Sequence, residues 1–479
     1  MLKIYKSLFS SLIENQIVFC NWKGHADVKS HLNGDGDLDT FIPESYRNKF
    51  DNIAKSIGFI NVVSYQADHD FIEHYFGYDQ DSNRFAHLHV YFKIVTGESA
   101  TKNYLLPIEN YLSDNLINSS LLPRPNETAS KTIFLLRHFL KIGSLYGLFQ
   151  YWREKDKYTK EWNFLSSSGN FDDLLALDLS AKELHCLEDI YISQGHIQNI
   201  FTSYKFKWKM RRFCRRPFFK YKIYAIQNFI IRLTNRFIYK RKKLFKRGSV
   251  VAICGLDGSG KSTLINALNK NFSEYFSVKS LHLGRPSSTT LTFIFRPFLR
   301  LQNILRSFKK ASPAGISDTD SKNRISMLYA IRSVILAYER KAASDKAHNF
   351  SQRGYLVVCD RYPGLHPGKM DSPRIPNDKS RSMLYQFLYR FEHSLYNSIQ
   401  PANDIFHLHV ALEVSIERNN ARDKMGKETD DEIRERFRVN SGVKFLSNNY
   451  HIVDASVPFK GVYSEVSHGI WKRFVSELL

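Results

Sequence analysis

Residues 249–264, SVVAICGLDGSGKSTL, decide the fold of the second half of this chain. The run VVAIC at residues 250–254 is apolar and rich in β-branched residues, which is typical of a central parallel strand buried on both faces. A glycine-rich turn follows, and residues 263–270 continue in an uninterrupted helical pattern. Strand, turn and helix in this order predict a phosphate-binding loop, or P-loop.

The turn fits the pattern G-x-x-x-x-G-K-[ST] with Gly255, Gly260, Lys261 and Ser262. Its glycines let the backbone curl around phosphate oxygens, and the positive N-terminal end of the following helix adds to the attraction. Lys261 is expected to reach the β- and γ-phosphates of ATP, and the Ser262 hydroxyl is expected to lie where Mg²⁺ is held. The residues predicted to bind the nucleotide are Gly255, Gly258, Ser259, Gly260, Lys261, Ser262 and Thr263.

The chain has 479 residues, of which 43% are hydrophobic, enough for two or three domains with separate cores. Its formal net charge is +22, and residues 204–247 hold 17 Lys or Arg and no Asp or Glu, so the rest carries only 22 − 17 = +5. The five cysteines lack CxxC spacing, which favours reduced thiols over disulfides or a zinc site. The sequence lacks a long apolar run and a signal-peptide core, so we expect a cytoplasmic protein, with peripheral attachment to the inner membrane as an open alternative.

Alternating acids at residues 34–39, GDGDLD, mark a candidate metal site in the first region. On a strand, Asp37 and Asp39 would share one face about 6–7 Å apart, so both carboxylates could reach one or two Mg²⁺ ions. The alternative is a solvated turn, because Asp and Gly cluster in turns. A later predicted strand carries His87 and His89 on one face, where they are either metal ligands or structural residues.

This spacing resembles that of the nucleotidyltransferase superfamily, in which a small turn precedes Asp-x-Asp on the next strand. The turn here is WKGH at residues 22–25. The resemblance implies nucleotide binding with Mg²⁺ and a third acid from a later strand. That strand offers histidines in this chain, and His25 stands where the family has serine, so we expect a domain that binds nucleotide but transfers slowly or not at all.

Residues 204–247 interleave aromatic residues with cations. Three interpretations stay open for them: a basic linker helix packed against its neighbours, an interfacial helix on an anionic membrane surface, or a surface for nucleic acid. An apolar helical stripe, bordered by cations, is predicted at Ile223, Ile226, Ile230, Leu233 and Phe237.

A second buried strand, residues 355–359, ends in Asp360, Arg361 and Tyr362. Ligands of such folds bind at the carboxyl ends of strands, so this acid and this arginine are expected beside the P-loop. Asp360 can order Mg²⁺-bound water or the acceptor, and Arg361 can hold an acceptor phosphate with two parallel hydrogen bonds. A later helix carries three arginines that are expected to form a solvated face, namely Arg434, Arg436 and Arg438.

Residues 248–479 contain, in order, GLDGSGKST, a helix with MLYAIR, the Asp-Arg-Tyr triplet, a helix with EVSIERNNARDK and a late strand HIVDAS. This series resembles the thymidylate kinases and related nucleoside monophosphate kinases. The resemblance implies that Asp257 contacts the acceptor region and that two lid arginines, Arg418 and Arg422, reach the transferring phosphoryl group. Residues 363–371 lack the Gln/Gly-rich segment of thymidylate kinases, which leaves acceptors other than thymidylate open.

The sequence therefore predicts an α/β protein in four parts. These are a nucleotidyltransferase-like α+β domain at residues 1–125, a helical connector at 126–203, a basic aromatic-rich linker at 204–247, and a doubly wound five-stranded parallel sheet at 248–479.

The expected function is an ATP- and Mg²⁺-dependent phosphotransferase whose acceptor is a nucleotide or a small sugar-linked phosphate. The expected catalytic set is Lys261, Asp257, Asp360, Arg361, Arg418 and Arg422, and the expected metal ligands are Ser262, Asp360, Asp37 and Asp39. Fusion of two such modules resembles proteins associated with bacterial surface-polysaccharide synthesis, an analogy at the level of folds. The alternative function is a nucleotide-sensing switch in which the P-loop controls the first domain. The expected oligomeric state is a dimer.

Overall fold

The structure is a computed structural model that describes residues 1–64, 70–117, 121–142, 145–165, 170–193, 196–239, 242–284, 286, 325–421 and 429–476. The chain divides into two compact units, the first formed by Met1–Lys246 with Trp471–Leu479 and the second by Arg247–Ile470.

The first unit combines short strands with ten α-helices among its described residues. Its helices are α1 Lys3–Glu14, α2 Val28–His31, α3 Arg47–Ile57, α4 Glu109–Asp114, α5 Glu127–Lys141, α6 Leu145–Arg153, α7 Lys155–Phe164, α8 Ala181–Ile192, α9 His196–Lys209 and α10 Phe218–Thr234. Its strands are β1 Cys20–Asn21, β2 Leu38–Phe41, β3 Ile60–Val63, β4 Ile72–Asp79, β5 Arg84–Tyr91, β6 Ile94–Thr96, β7 Tyr104–Leu106, β8 Leu116–Ile117, β9 Arg124–Pro125 and β10 Leu244–Phe245.

Six of these strands form a mixed sheet in the order β1-β2-β5-β4-β3-β10. Strand β2 runs parallel to β5, and the register pairs Asp39 with His89. The other neighbours in the sheet are antiparallel. The predicted acidic strand and the predicted histidine strand are therefore adjacent.

Helix α1 follows the pattern of an amphipathic helix, since Tyr5, Leu8, Phe9 and Leu12 recur at helical spacing and all are buried. Helix α5 is different. Its N-cap Asn126 accepts a hydrogen bond from the backbone N–H of Ala129 at 2.8 Å, and every residue from 129 to 140 is buried. A helix buried on all sides carries polar residues inward as well as apolar ones.

The described part of the second unit contains five strands and six helices. Its strands are β11 Ser249–Gly255, β12 Val278–His282, β13 Leu356–Asp360, β14 Ala402–His409 and β15 Ser447–Asp454. Its helices are α11 Lys261–Tyr275, α12 Met327–Gln352, α13 Met383–Asn397, α14 Leu412–Asn420, α15 Asp430–Asn440 and α16 Phe459–Ser476, the last of which ends within the residues assigned to the first unit.

The five strands are all parallel, in the order β12-β13-β11-β14-β15. From the central strand β11 the chain crosses to the edge strand β12, and every later connection between strands runs across the sheet in the opposite direction. Right-handed crossovers therefore place α11 on one face of the sheet and α12 and α13 on the other. All seven residues of the central strand β11 are buried. The predicted fold class, α/β with a doubly wound five-stranded parallel sheet, is confirmed.

The sequence of residues 171–195 predicts a pair of helices, whereas the described part has one α-helix, α8, preceded by the short 3₁₀ helix Leu175–Leu177. The composition of residues 311–322, ASPAGISDTDSK, predicts a loop, and these residues lie outside the described part of the chain. None of the described helices combines the length and hydropathy needed to span a bilayer.

Candidate functional site

The P-loop connects β11 to α11 through backbone conformations that require glycine. Gly255, Gly258 and Gly260 have φ values of +148°, +94° and +86°. A Cβ on Gly255 would lie 2.7 Å from the carbonyl oxygen of Leu408, and one on Gly258 would lie 2.5 Å from the Ser415 hydroxyl. The predicted glycine positions thus form a tight concave turn at the N-terminus of α11.

Lys261 is the first residue of α11 and is buried. Its Nζ donates a hydrogen bond to the carbonyl oxygen of Leu256 at 2.7 Å and lies 3.5 Å from Asp257 Oδ1. Burial, together with the neighbouring Arg361, lowers the pKa of Lys261. Ser262 and Thr263 follow in the first turn and are exposed. The loop thus joins a desolvated cation to two accessible hydroxyls.

Asp257 joins several cations at the P-loop. Its Oδ1 lies 2.7 Å from Arg361 Nη2, and its Oδ2 lies 2.7 Å from Arg436 Nη1. Burial alone would raise the pKa of Asp257, but Lys261, Arg361 and Arg436 together lower it. The carboxylate therefore holds the two guanidinium groups beside the lysine.

Arg361 occupies the end of β13, where the sequence predicts it. Its φ is +68°, an unfavourable backbone conformation for a residue with a Cβ, and its Nη1 lies 3.4 Å from Asp371 Oδ2. Asp371 also accepts a hydrogen bond from the buried Arg340 at 2.6 Å. The Arg361 side chain is thus fixed by two carboxylates, Asp257 and Asp371.

Asp360 precedes Arg361 at the same strand end. Among the described residues, its Oδ1 is buried without a hydrogen-bond partner, and its Oδ2 lies 3.5 Å from His282 Nε2. A buried carboxylate oxygen with no donor is costly unless a cation or a water satisfies it. This oxygen, with the Ser262 hydroxyl, fits a hydrated Mg²⁺ at the P-loop.

Arg418 lies beside the P-loop in a cleft of about 350 Å³ that Gly258, Ser259, Gly260 and Thr263 also line. Its Nη2 donates a hydrogen bond to the carbonyl oxygen of Ala455 at 2.9 Å. Val457, Phe459 and Val462 add apolar side chains to the lining of this cleft. Arg422 lies outside the described residues.

The prediction of a solvated face for all three arginines of α15 is wrong for Arg436. Its side chain is only 21% exposed and reaches Asp257, whereas Arg438 is 76% exposed and pairs with Glu435. The contact joins residues 179 positions apart, so no local pattern could reveal it.

In the first unit, the ends of β2 and β5 bring together Asp37, Asp39 and His89. Their ligand atoms lie within 4.8 Å of one another, a spacing that could hold a metal ion. His89 Nδ1 is 3.1 Å from Asp39 Oδ1 and 3.5 Å from Asp37 Oδ2. This arrangement favours the metal-site interpretation of the two acids over a solvated turn.

Lys23 completes this cluster. Its Nζ lies 2.9 Å from Asp39 Oδ1 and donates a hydrogen bond to the Tyr91 hydroxyl at 2.8 Å. Burial lowers the pKa of Lys23 to about 8. Burial alone would raise the pKa of Asp39, but Lys23 and His89 hold it well below its ordinary value. Burial would likewise raise the pKa of Asp37, but His89 and Lys23 are among the groups that lower it. Both carboxylates are therefore ionised at neutral pH.

The other histidines of this region are not part of the group of ligand atoms formed by Asp37, Asp39 and His89. His87 Nε2 is 3.1 Å from His74 Nδ1, and burial lowers the pKa of both rings well below the usual value. His25 is buried with Nδ1 3.1 Å from Asn21 Oδ1, and burial lowers its pKa to about 4. These neutral rings leave His89 as the histidine of the metal cluster.

The acidic cluster opens into a cavity of about 330 Å³ that sequence reasoning missed. Lys102, Arg137 and Lys141 line it together with Lys23, and burial lowers the pKa of Lys141 to about 8. Arg137 is paired with Glu161 at 2.9 Å. Arg137 and Lys141 come from α5, for which the sequence predicts a buried apolar stripe at Ile133, Leu136, Phe139, Leu140 and Ile142. A stripe of this kind predicts a core and gives no sign of a cavity.

No family model matches the chain. The uncharacterized ATP-binding protein YghR of Escherichia coli K12 is 23% identical over 225 residues, which cover 46% of this chain and 86% of that protein. The uncharacterized ATP-binding protein YghS of the same strain is 31% identical over 155 residues, covering 31% of this chain and 62% of that protein. The thymidylate kinase of Blochmanniella pennsylvanica is 24% identical over 226 residues, which cover 47% of this chain and 93% of that protein.

Among solved structures, thymidylate kinase from Candida albicans matches 47% of this chain and 92% of its own, with 16% identity and a TM-score of 0.27. The similarity to thymidylate kinase and to ATP-binding proteins falls in the C-terminal half of the chain. The curated relatives named above support a P-loop fold of the nucleotide-kinase type there. The likeness of the first region to nucleotidyltransferases stays a prediction.

Proposed function

We propose that the second unit is an ATP-dependent phosphotransferase. The observation that carries this proposal is the P-loop itself, with a buried Lys261 at a helix N-terminus and the unsatisfied Asp360 oxygen at the adjacent strand end. Relatives that are named ATP-binding proteins or thymidylate kinase support it.

ATP would bind with its phosphates in the glycine turn and its base on the apolar side of the cleft, against Val457 and Phe459. Lys261 would reach the β- and γ-phosphates, and Arg418 would contact the phosphoryl group from the other side of the cleft. Ser262 and Asp360 would hold Mg²⁺, which neutralises charge on the phosphates when bound. Arg422 is assigned to the same role as Arg418 by resemblance alone.

The acceptor would bind where Asp257, Arg361 and Arg436 meet. Two guanidinium groups held beside a carboxylate form a site prepared for a second anion, and Arg361 can present two parallel N–H donors to a phosphate. Catalysis then consists of holding the two phosphates in line and neutralising charge with fixed cations. The acceptor class that fits is a nucleoside monophosphate or a sugar-linked phosphate.

The test is ATP consumption by the purified chain with nucleoside monophosphates and sugar phosphates as acceptors, with and without Mg²⁺. Lys261→Ala should lower transfer by about a hundredfold or more, because it removes a positioned charge from the β- and γ-phosphates. The matched control is Lys270→Ala, an exposed position on the same helix. Unchanged turnover in Lys261→Ala, in a preparation free of other kinases, would overturn the proposal.

We propose a second function for the first unit, the binding of a divalent metal together with a phosphate-bearing ligand such as a nucleotide. Two ionised carboxylates and His89 stand at one side of the cavity, and Lys102, Arg137 and Lys141 line it as well. Carboxylates suit Mg²⁺, whereas an imidazole in the third position shifts preference towards Mn²⁺ or Zn²⁺. Since His89 neutralises less charge than a carboxylate, nucleotidyl transfer would be slow or absent.

A nucleotide-sensing switch is the alternative for the whole chain. A switch would bind ATP tightly and turn it over slowly without a partner, and its P-loop would alter ligand binding by the first unit. An enzyme would turn over with a suitable acceptor alone. The acceptor screen therefore distinguishes the two functions.

A further inference from the structure

The amphipathic helix α10 is placed with its apolar side outward. It runs from Phe218 to Thr234 and continues as a π-helical turn, Asn235–Tyr239. The apolar stripe that the sequence predicts therefore lies on this helix and its continuation.

Polar residues attach this helix to the first unit. Asn228 is 3% exposed, and its Nδ2 donates a hydrogen bond to the carbonyl oxygen of Ala100 at 2.8 Å. Arg232 Nη2 donates to the carbonyl oxygen of Ser99 at 3.0 Å, and Asn235 is buried as well. The face of α10 that meets the protein is therefore held by side-chain hydrogen bonds to backbone carbonyls.

The apolar residues point the other way. Asn228 is two positions from both Ile226 and Ile230, and two residues turn about 200° around an α-helix, which places the isoleucines opposite the buried asparagine. Ile226 is 61% exposed and Phe237 is 68% exposed. The complete set of exposed apolar residues on this segment is Phe218, Phe219, Ile223, Ile226, Phe229, Ile230, Ile231, Leu233, Phe237, Ile238 and Tyr239. Among the described residues, this stripe is therefore exposed rather than packed against neighbours within the chain.

The same surface is cationic. Within the described part of the chain, no acidic side chain lies at ion-pair distance from Lys220, Lys222 or Arg236. Just before α10, in contrast, Lys207 pairs with Glu98 at 3.2 Å and Arg215 pairs with Asp70. The unpaired cations thus coincide with the exposed apolar stripe.

Helix α9 extends this surface. Phe201, Tyr204 and Trp208 recur at helical spacing and are each more than half exposed. A groove of about 460 Å³ joins the two helices, since Tyr204 and Trp208 of α9 and Phe218 of α10 line it together. At this groove the exposed aromatic residues of α9 meet the N-terminal end of α10. We call the exposed side chains of these two helices together the α9–α10 surface.

We propose that the α9–α10 surface lies on an anionic lipid membrane, with the apolar stripe in the acyl boundary and the lysines and arginines at the headgroups. Transfer of aliphatic isoleucine side chains from water to the acyl region of a membrane lowers the free energy. Isoleucine has no π-face on which a nucleic-acid base could stack. The unpaired cations complement anionic headgroups. Membrane attachment of this kind needs no spanning helix, and it would hold the first unit at the membrane surface.

The experiment uses the full chain and vesicles of phosphatidylcholine with or without phosphatidylglycerol. We expect co-sedimentation with the anionic vesicles that weakens steeply between low and physiological salt. Ile226→Gln with Ile230→Gln should lower the partition coefficient by about tenfold or more, because two apolar side chains no longer leave water. The matched control is Ile13→Gln with Leu175→Gln, which removes two other exposed apolar residues of the same unit.

Charge is tested separately. Replacing Lys220, Lys222 and Arg236 with Gln should weaken binding to the anionic vesicles by about a hundredfold. No binding to anionic vesicles, or equal binding by the isoleucine variant and the wild type, overturns the proposal. Binding of single-stranded RNA without vesicle binding would assign the surface to nucleic acid instead. Concentration-dependent dimers abolished by the isoleucine variant, again without vesicle binding, would assign it to self-association.

Discussion

At the scale of single residues, Asp257 is the centre of the P-loop site because it holds Arg361 and Arg436 beside Lys261. Each guanidinium lies 2.7 Å from a different oxygen of one carboxylate. This arrangement fixes two fork-shaped donors before any ligand binds, and fixed donors cost little reorganisation during reaction.

We predict that Arg361→Lys and Arg436→Lys each raise the acceptor KM or lower kcat by about tenfold and leave ATP affinity near normal. A lysine replaces a planar fork with a point charge, so it cannot make two parallel hydrogen bonds to a phosphate. Steady-state kinetics with varied acceptor measure this, and Arg438→Lys, an exposed position on the same helix, is the control. Loss of ATP affinity with unchanged acceptor kinetics would reverse the assigned roles.

The sequence reveals some of these residues and conceals others for a physical reason. Lys261, Asp360 and Arg361 are predictable, because a P-loop and a strand end have local patterns that fix where their side chains point. Arg436 is not, since its contact with Asp257 depends on how α15 packs near the P-loop. A regular spacing shows which residues share a helix face, but it does not show what that face meets.

At the scale of elements, α5 is a helix buried on all sides that carries a titratable ring in its core. His138 is 1% exposed, and the ring of Tyr191 lies 4.7 Å away in an edge-on arrangement. Burial lowers the pKa of His138 to about 3. In the unfolded chain the same ring has a pKa of about 6.5.

This difference predicts an acid-sensitive first unit. Between these two pKa values the unfolded chain binds more protons than the folded one, so stability falls as pH falls below about 6.5. At pH 5 the loss from His138 is about 2 kcal/mol relative to pH 7.5. His138→Phe should remove this part of the slope in unfolding experiments at the two pH values. His185→Phe, at a half-exposed position on α8, should leave the slope as it is, and equal slopes in wild type and His138→Phe would contradict the prediction.

Helices α5 and α10 show that the spacing of apolar residues along a helix does not predict what the helix face contacts. In α5 the stripe predicts a core, and the polar residues between the stripe positions, Arg137 and Lys141, turn out to line a cavity. In α10 the stripe is real, but Asn228 and Arg232 attach the opposite face to the protein. The burial of a stripe depends on which partner surface exists, and the sequence of one helix does not contain that surface.

At the scale of the whole molecule, there are two candidate sites for phosphate-bearing ligands, one in each unit. The P-loop site belongs entirely to the second unit, and the cluster of Asp37, Asp39 and His89 belongs entirely to the first. The sequence could indicate both sites for two reasons. The paired strands β11 and β13 each end in a recognisable motif, and the acidic strand β2 pairs with the histidine strand β5. Any coupling between the two sites is a free energy, and it can be measured as the effect of a ligand at either site on binding at the other.

We predict that Asp37→Asn with Asp39→Asn abolishes metal-dependent nucleotide binding by the first unit. Neutral amides lose the charge that a divalent ion requires, and the lysines that line the cavity then repel the ion without opposition. Binding of Mn²⁺ and nucleotide would be measured by calorimetry in the full chain carrying Lys261→Ala, so that the P-loop does not contribute. The control is Asp35→Asn with Asp81→Asn, two exposed acids of the same unit. Undiminished binding would reduce Asp37 and Asp39 to structural residues.

The same pair of substitutions distinguishes an enzyme from a switch. If the units act independently, Asp37→Asn with Asp39→Asn leaves the kcat of the second unit within about twofold, because the substitutions change no contact in that unit. If the P-loop controls the first unit, ligand binding at one site changes the affinity of the other by the same factor in both directions. Measuring ATP affinity with and without Mn²⁺, in wild type and in the double variant, detects that coupling. A severalfold change that disappears in the double variant would establish the switch and contradict the independence that we expect.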